Sequence, residues 1–208
     1  MQVKTTTLRM TQRPENSPRA LPDGARIDRI DTPTPEFIRW LYAAVGGPWR
    51  WTDRLSWTRE QWAQDLARPG TEAHVLYVGG APAGYVQLDA VPISASEPEV
   101  LPGSRSGGAS AAMFSRTEVV YFGLMEHVIG RGLGGVLLHH GIEMAWSLGG
   151  RCDLPPTAEV WLHTCDLDGP HALANYQARG FEITGESSGQ QDYPREPLGA
   201  WASTGGPI

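Results

Sequence analysis

The 208-residue sequence predicts an α+β domain, a central sheet flanked by helices. Three observations carry that prediction. Two runs of β-favouring residues between Ala73 and Val91 are joined by Gly79-Gly80, the signal of an antiparallel hairpin. From Thr117 an apolar strand runs into a glycine-rich turn and then an amphipathic helix. Ala158 to Cys165 alternates with period two ahead of a short helix and another strand.

Length suits one domain with elaborations and a real core. A formal net charge of −6 argues against a nucleic-acid-binding surface and mildly favours a cationic or neutral partner. The only two cysteines, Cys152 and Cys165, form no disulfide framework and sit in no metal-ligand spacing, which points to a reducing, cytoplasmic setting and no metal. No apolar run follows the N-terminal basic residues, and no stretch approaches the roughly 18 apolar residues of a membrane span. Neither a signal peptide nor a membrane association is expected.

In chain order, residues 1–24 are polar, carry three prolines and read as a disordered leader. A domain over 25–187 then begins with a short strand at Ala25 to Ile30. Pro35 to Val45 is a helix opened by proline and closed by Gly46-Gly47, with Phe37, Leu41 and Ala44 on one face. Four of the eight tryptophans fall between Trp49 and Trp62. Within that segment Thr58-Arg59-Glu60-Gln61 has the form of a capping box for a second helix, which Pro69-Gly70 ends. In the hairpin, Tyr85, Gln87 and Asp89 alternate against Val86 and Leu88. Residues 92–115 are rich in Ser, Gly, Pro and Ala and read as a flexible loop insertion. Past the glycines, Leu133, Val136, Leu137, His140, Gly141, Met144 and Leu148 recur at helical spacing, and Gly149-Gly150 stops the helix. Gly169-Pro170 opens a short helix to Arg179, with Gly180 as its stop, and Phe181 to Ser187 is a strand. Residues 188–208 form a Gly/Pro-rich tail with room for a final strand.

The strand, glycine turn and helix together make an anion site, because glycines let backbone approach a ligand and the first N–H groups of a helix are unpaired. Gly130-Arg131-Gly132-Leu133-Gly134-Gly135 also satisfies G-x-G-x-x-G, so a dinucleotide-binding oxidoreductase is one reading. Only about half a mononucleotide-binding module fits downstream, however, and an antiparallel hairpin precedes the turn.

Taken together, strand, two helices, hairpin, long strand, glycine turn, helix, strand, short helix and strand resemble the GNAT superfamily of acyl-CoA-dependent N-acyltransferases, over about residues 25–187. The pyrophosphate loop of that superfamily, Q/R-x-x-G-x-G/A, falls on Ile129 to Gly134. Gly132 and Gly134 match, and Ile129 stands where Gln or Arg is usual. A Tyr four residues ahead of Gly-Phe, a second signature, is supplied by Tyr176 before Gly180-Phe181. The Asn that many members carry seven residues before this Tyr is replaced by Gly169, beside Asp168.

The resemblance implies a mixed, mostly antiparallel sheet with a splayed pair of central strands, and acetyl-CoA as co-substrate. It implies cofactor contacts from Leu124 and Met125 in the splayed gap, from Ile129, Gly130, Arg131, Gly132, Leu133, Gly134 and Gly135 around the pyrophosphate, and from Asn175. Tyr176 takes the place of the acid that protonates the departing thiolate, and Glu118 that of a general base, with His127 and His163 as rivals. Strand alternation puts Glu118, Val120, Phe122 and Leu124 on one face. Trp49, Trp51, Asp53 and Trp57 fall where the superfamily forms its acceptor pocket, with Asp89 and His163 facing the same cleft. The implied function is N-acetylation of a small primary amine by direct attack in a ternary complex. An acyl-CoA-binding sensor with a degenerate site is the alternative. If the tail supplies no strand, the sheet edge there is expected to be covered by a partner, as in a homodimer, or by a loop.

Overall fold

The computed structural model describes residues 1–15, 20–94 and 113–206. In chain order its elements are β1 (Gln2–Met10), β2 (Ala25–Arg29), α1 (Pro35–Gly46), α2 (Arg59–Leu66), β3 (Thr71–Val78), β4 (Ala81–Ser94), β5 (Met113–Leu124), α3 (Leu133–Arg151), β6 (Thr157–Cys165), α4 (Ala172–Gln177), β7 (Glu182–Gln190) and α5 (Gly199–Ser203). The strands form one sheet in the order β2-β3-β4-β5-β6-β1-β7. Every neighbouring pair is antiparallel except β5 and β6. This is the mixed α+β fold predicted. A doubly wound parallel sheet, which the dinucleotide reading needs, is absent among the described residues.

Local chemistry explains the helix starts. Thr34 accepts a hydrogen bond from the Phe37 N–H at 3.4 Å, with Pro35 in the first turn of α1. The capping box of α2 forms as predicted: the Gln61 N–H donates to the Thr58 hydroxyl at 3.2 Å and the Thr58 N–H to the Gln61 side chain at 2.8 Å. One apolar cluster lies between α3 and the sheet, around Leu8, Val86, Leu88, Leu137, Leu138, Ile142 and Val160. A second lies on the opposite face beneath α1 and α2, around Ile38, Leu41, Tyr42, Trp62, Val75 and Tyr85.

Three expectations are corrected. Residues 2–10, read as part of a disordered leader, are a strand between β6 and β7, with Leu8 fully buried and Val3 and Met10 nearly so. Its Thr run conceals a strand because β-branched threonines favour the pleated backbone without giving an apolar alternation. The tail beyond residue 190 contributes the helix α5, packed on α1, and no strand within the described residues. The slot between β6 and β7 is thus filled from the N-terminal end of this same chain. At the ends of the predicted loop insertion, residues 92–94 and 113–115 extend β4 and β5 as paired strands, while 95–112 lie outside the described residues. No helix among the described residues is long and apolar enough to cross a membrane.

Candidate active site

The register of β5 builds the site. β5 pairs with β6 only from Ser115 to Glu118 and then parts from it, while pairing with β4 continues to Leu124. A bulge between Gln87 and Leu88 of β4 places Tyr121 opposite Gln87 and Val119 opposite Leu88, so Val120 is the extra residue. The bulge breaks the alternation expected from sequence. Phe122 and Leu124 turn to the α3 side, whereas Tyr121 joins the aromatic cluster under α1. Glu118 therefore shares its face with Tyr121 and not with Phe122 and Leu124.

Where the two strands part, a cleft of about 990 Å³ opens. The glycine turn closes one end. Gly130 (φ 82°) and Gly132 (φ 76°) are left-handed, and Gly132 is the residue at which α3 starts. No N-terminal side chain caps α3. The N–H groups of Leu133, Gly134 and Gly135 come before the first possible intrahelical partner and remain available to an anion. Ile129, Gly130, Gly132, Gly134 and Gly135 line the cleft. Arg179, which sequence reasoning missed, ties this turn to α4: its guanidinium donates to the Gly135 carbonyl at 3.2 Å and to the Asn175 carbonyl at 3.1 Å.

In the middle, Tyr176 and Asn175 come from α4 and Leu124 from β5. Tyr176 is 7% exposed and meets Phe122 and Phe181 edge-on, with ring centroids 6.0 and 6.2 Å away. Burial pushes its phenol well above the ordinary value, so the hydroxyl keeps its proton at neutral pH. Across the gap, His163 Nδ1 lies 3.3 Å from Glu118 Oε1. The hydrogen bond to Glu118 raises the His163 pKa, outweighing burial. Asp168 accepts from the Thr164 hydroxyl at 2.5 Å and the Cys165 N–H at 3.1 Å, which shapes the turn into α4.

The far end is aromatic. Tyr42, Trp51 and Tyr121 form a mutual cluster with centroids 5.2 to 5.6 Å apart. Trp49 stands against Gly169, where a side chain would meet its indole. Asp53 accepts from the Tyr193 hydroxyl at 3.2 Å, and Arg50 donates to the Pro194 and Arg195 carbonyls at 3.0 and 2.7 Å. The Trp-rich loop is thereby fastened to the tail, and Tyr193 becomes part of the cleft wall.

Of the residues expected here, Glu118, Leu124, Ile129, Gly130, Gly132, Gly134, Gly135, Asn175, Tyr176, Trp49, Trp51, Asp53 and His163 share this one cleft. Several others do not. Met125 is buried in the α1-side cluster and its N–H is committed to the Ala83 carbonyl at 2.9 Å, so it has nothing free to offer a ligand. Leu133 packs its side chain into the α3-side core and leaves only its N–H at the turn. Arg131 and His127 are exposed and off the cleft lining. Trp57 packs edge-on to Trp62 at 5.4 Å beneath the Arg54 guanidinium, which lies 4.1 Å from its ring. Asp89 is paired with Arg68 at 2.5 Å and is not presented to a ligand. Sequence reasoning missed Val3, Thr5, Tyr42, Arg54, Tyr121 and Tyr193. All arrive by register or tertiary packing, and only the strand-like Thr5 to Leu8 run was a signal that could have found any of them.

Comparison with protein-family models finds no match, and comparison with curated proteins finds none. Solved structures do match in fold. A GCN5-related N-acetyltransferase from Kribbella flavida superposes with a TM-score of 0.54 at 16% identity, covering 89% of this chain and 56% of that one. One from Sphaerobacter thermophilus gives 0.53 at 14%, covering 88% and 49%. An aminoglycoside acetyltransferase from an uncultured soil metagenomic sample, in complex with trehalose, gives 0.50 at 12%, covering 76% and 88%. This chain spans about half the length of the first two. Its mixed sheet, opened at one parallel pair above a glycine turn, has the α+β arrangement of these structures. It is the GNAT fold, that of the GCN5-related N-acetyltransferases.

Proposed function

We propose that the chain is an N-acyltransferase that passes an acetyl group from acetyl-CoA to the primary amine of a small molecule, by direct attack in a ternary complex. One observation carries this: a single cleft connects an anion cradle at a helix start with a strand gap, a protonated phenol and a His–carboxylate pair. The N–H groups of Leu133, Gly134 and Gly135 hold the pyrophosphate, and the edge of β5 from Val119 to Leu124 that faces away from β4 lies along the pantetheine arm. The amine must be neutral to attack, so His163 backed by Glu118 takes its proton. The Tyr176 hydroxyl donates to the sulfur as the thiolate leaves. Holding both reactants in one cleft supplies much of the rest, about 7–11 kcal/mol for a well-oriented pair.

Asp53, Glu118 and Asp168 line the cleft against Arg54 and His163, beside the ring faces of Tyr42, Trp49, Trp51 and Tyr121. Carboxylates among indole and phenol faces suit a cationic amine. The aminoglycoside acetyltransferase among the fold neighbours makes amino sugars the first acceptors to assay. Both cysteines are free, which fits a cytoplasmic enzyme. Among the described residues β7 is an outer strand paired only with β1, and a homodimer would join at its other edge, as light scattering can test.

The deciding experiment measures thiol release from acetyl-CoA over a panel of primary amines, alongside acetyl-CoA binding by calorimetry. Turnover on at least one amine is expected. Binding without turnover on any amine would favour an acyl-CoA-binding module, and absence of both would overturn the reading.

A further inference from the structure

Asp89 and Glu118 are direct cross-strand partners on β4 and β5. Their side chains therefore stand side by side on the α1 face, with Cβ atoms about 4.5–5.5 Å apart, and like charges so placed disfavour each other. Neither is free to escape into water: Asp89 is 8% exposed, and the Glu118 side chain 20%. Each has its cation on the side away from the other. Asp89 Oδ2 accepts from Arg68 at 2.5 Å, and its Oδ1 accepts from the Thr71 hydroxyl at 3.3 Å. Glu118 faces His163 at 3.3 Å. Arg68 also bonds Asp65 at 2.9 Å, and the other oxygen of Asp65 lies 3.4 Å from Arg54. A row of charges thus leaves the cleft at His163 and Glu118, runs beneath it through Asp89, Arg68 and Asp65, and returns to it at Arg54.

We propose that Asp89, held by Arg68, is a positioning residue for Glu118: its fixed carboxylate keeps the Glu118 carboxylate turned toward His163 and the open strand gap. The proposal rests on reading Glu118 and His163 as the proton-accepting pair. Arg68 and Thr71 remove the rotamers in which Asp89 could swing away, so the repulsion between the two carboxylates is relieved only by Glu118 moving toward β6. Burial pushes the Asp89 carboxyl above its ordinary range despite Arg68, as expected for a charge confined there. The other charged groups facing this pair are few. Asp168 faces His163 from the turn before α4. On the same face toward β1, Glu159 is taken up by Arg116 at 2.9 Å and Arg9 at 3.4 Å.

A staple that merely fastened α2 to β4 would reach the titration of His163 only through its net charge. The test follows the His163 imidazole by heteronuclear NMR as a function of pH in the full chain, in Asp89→Asn and in the double variant Asp89→Asn/Arg68→Met. In the single variant the negative charge beside Glu118 is lost, and the midpoint is expected to fall, by roughly half a pH unit for a charge about 9 Å away at an effective dielectric constant of about 60. The double variant carries no net charge change but still lacks the carboxylate that holds Glu118 toward His163, so its midpoint is expected to stay below the starting value. An unmoved or raised midpoint in folded Asp89→Asn, or a folded double variant that returns to the starting value, overturns the proposal. Asp89→Ser replaces Asp89→Asn if thermal melting shows that the latter does not fold, with the same fall expected. The titration needs no turnover. Expected displacements in a protein that releases no thiol with any amine would leave the positioning role standing and remove the acetyltransferase reading.

Discussion

Replacing Tyr176 by Phe isolates the hydroxyl from the ring. The ring packs edge-on between Phe122 and Phe181 and is 7% exposed, so the substitution keeps the contacts that hold α4 on the core. Stability is expected to change by less than about 1 kcal/mol, the net worth of an ordinary hydrogen bond. The catalytic cost is larger. A positioned acid contributes about 10²- to 10⁴-fold, or roughly 2.7–5.4 kcal/mol of barrier at 1.36 kcal/mol per tenfold. Because burial holds the phenol protonated through the neutral range, the loss should not vary with pH between about 6 and 9. Thiol release measured at saturating acetyl-CoA should fall at least a hundredfold, with the calorimetric affinity for acetyl-CoA unchanged. A variant that keeps a third of the wild-type rate, or whose deficit grows or shrinks steeply across that range, would refute the assignment of Tyr176 as the acid.

Other consequences follow from β1, the glycine turn and the two histidine pairs. Leu8→Ala removes a fully buried side chain from β1 and should cost about 2–5 kcal/mol, lowering the melting temperature by roughly 5–15 °C; a disordered segment would show no change in calorimetry. Gly132→Ala forces a side chain into a left-handed residue (φ 76°), at about 1–2 kcal/mol, and should weaken acetyl-CoA binding as well as lower the melting temperature. The bond to Glu118 raises the His163 pKa, so His163 stays protonated and unable to accept a proton to a higher pH than an ordinary imidazole. The acid limb of kcat/KM should therefore lie above about 6.5, and Glu118→Gln should move it down. On the α3 side, burial and His74 push His140 down to about 4, and its Nε2 lies 3.0 Å from His74. Between pH 6.5 and about 4 the unfolded chain binds the extra proton, so stability present above pH 6.5 is lost as pH falls. Urea melts at pH 7.5 and 5 should show that loss, and His140→Phe should reduce it.

The sequence by itself determined the parts whose cause is local. The capping box at Thr58 to Gln61, the Gly79-Gly80 hairpin, the left-handed glycines before α3 and the proline at the start of α1 follow from backbone conformations that few residues satisfy, and they are legible within a few positions. The glycine turn and Tyr176 also set the fold apart, since each occupies a fixed place in the order of elements. Only the tertiary structure decided what depends on register and on partners distant in the chain. One inserted residue at Val120 turns Tyr121 toward the aromatic wall and separates Glu118 from Phe122, a change that period-two counting does not register. Asp89 is a plausible ligand residue by type, but Arg68, 21 residues earlier and unpaired with it in the linear sequence, reaches it first. The largest difference is β1. Its run of threonines becomes an interior strand, next to the sheet edge, because β6 and β7 present open edges on either side of it, and backbone hydrogen bonds with two neighbours outweigh a weak apolar pattern.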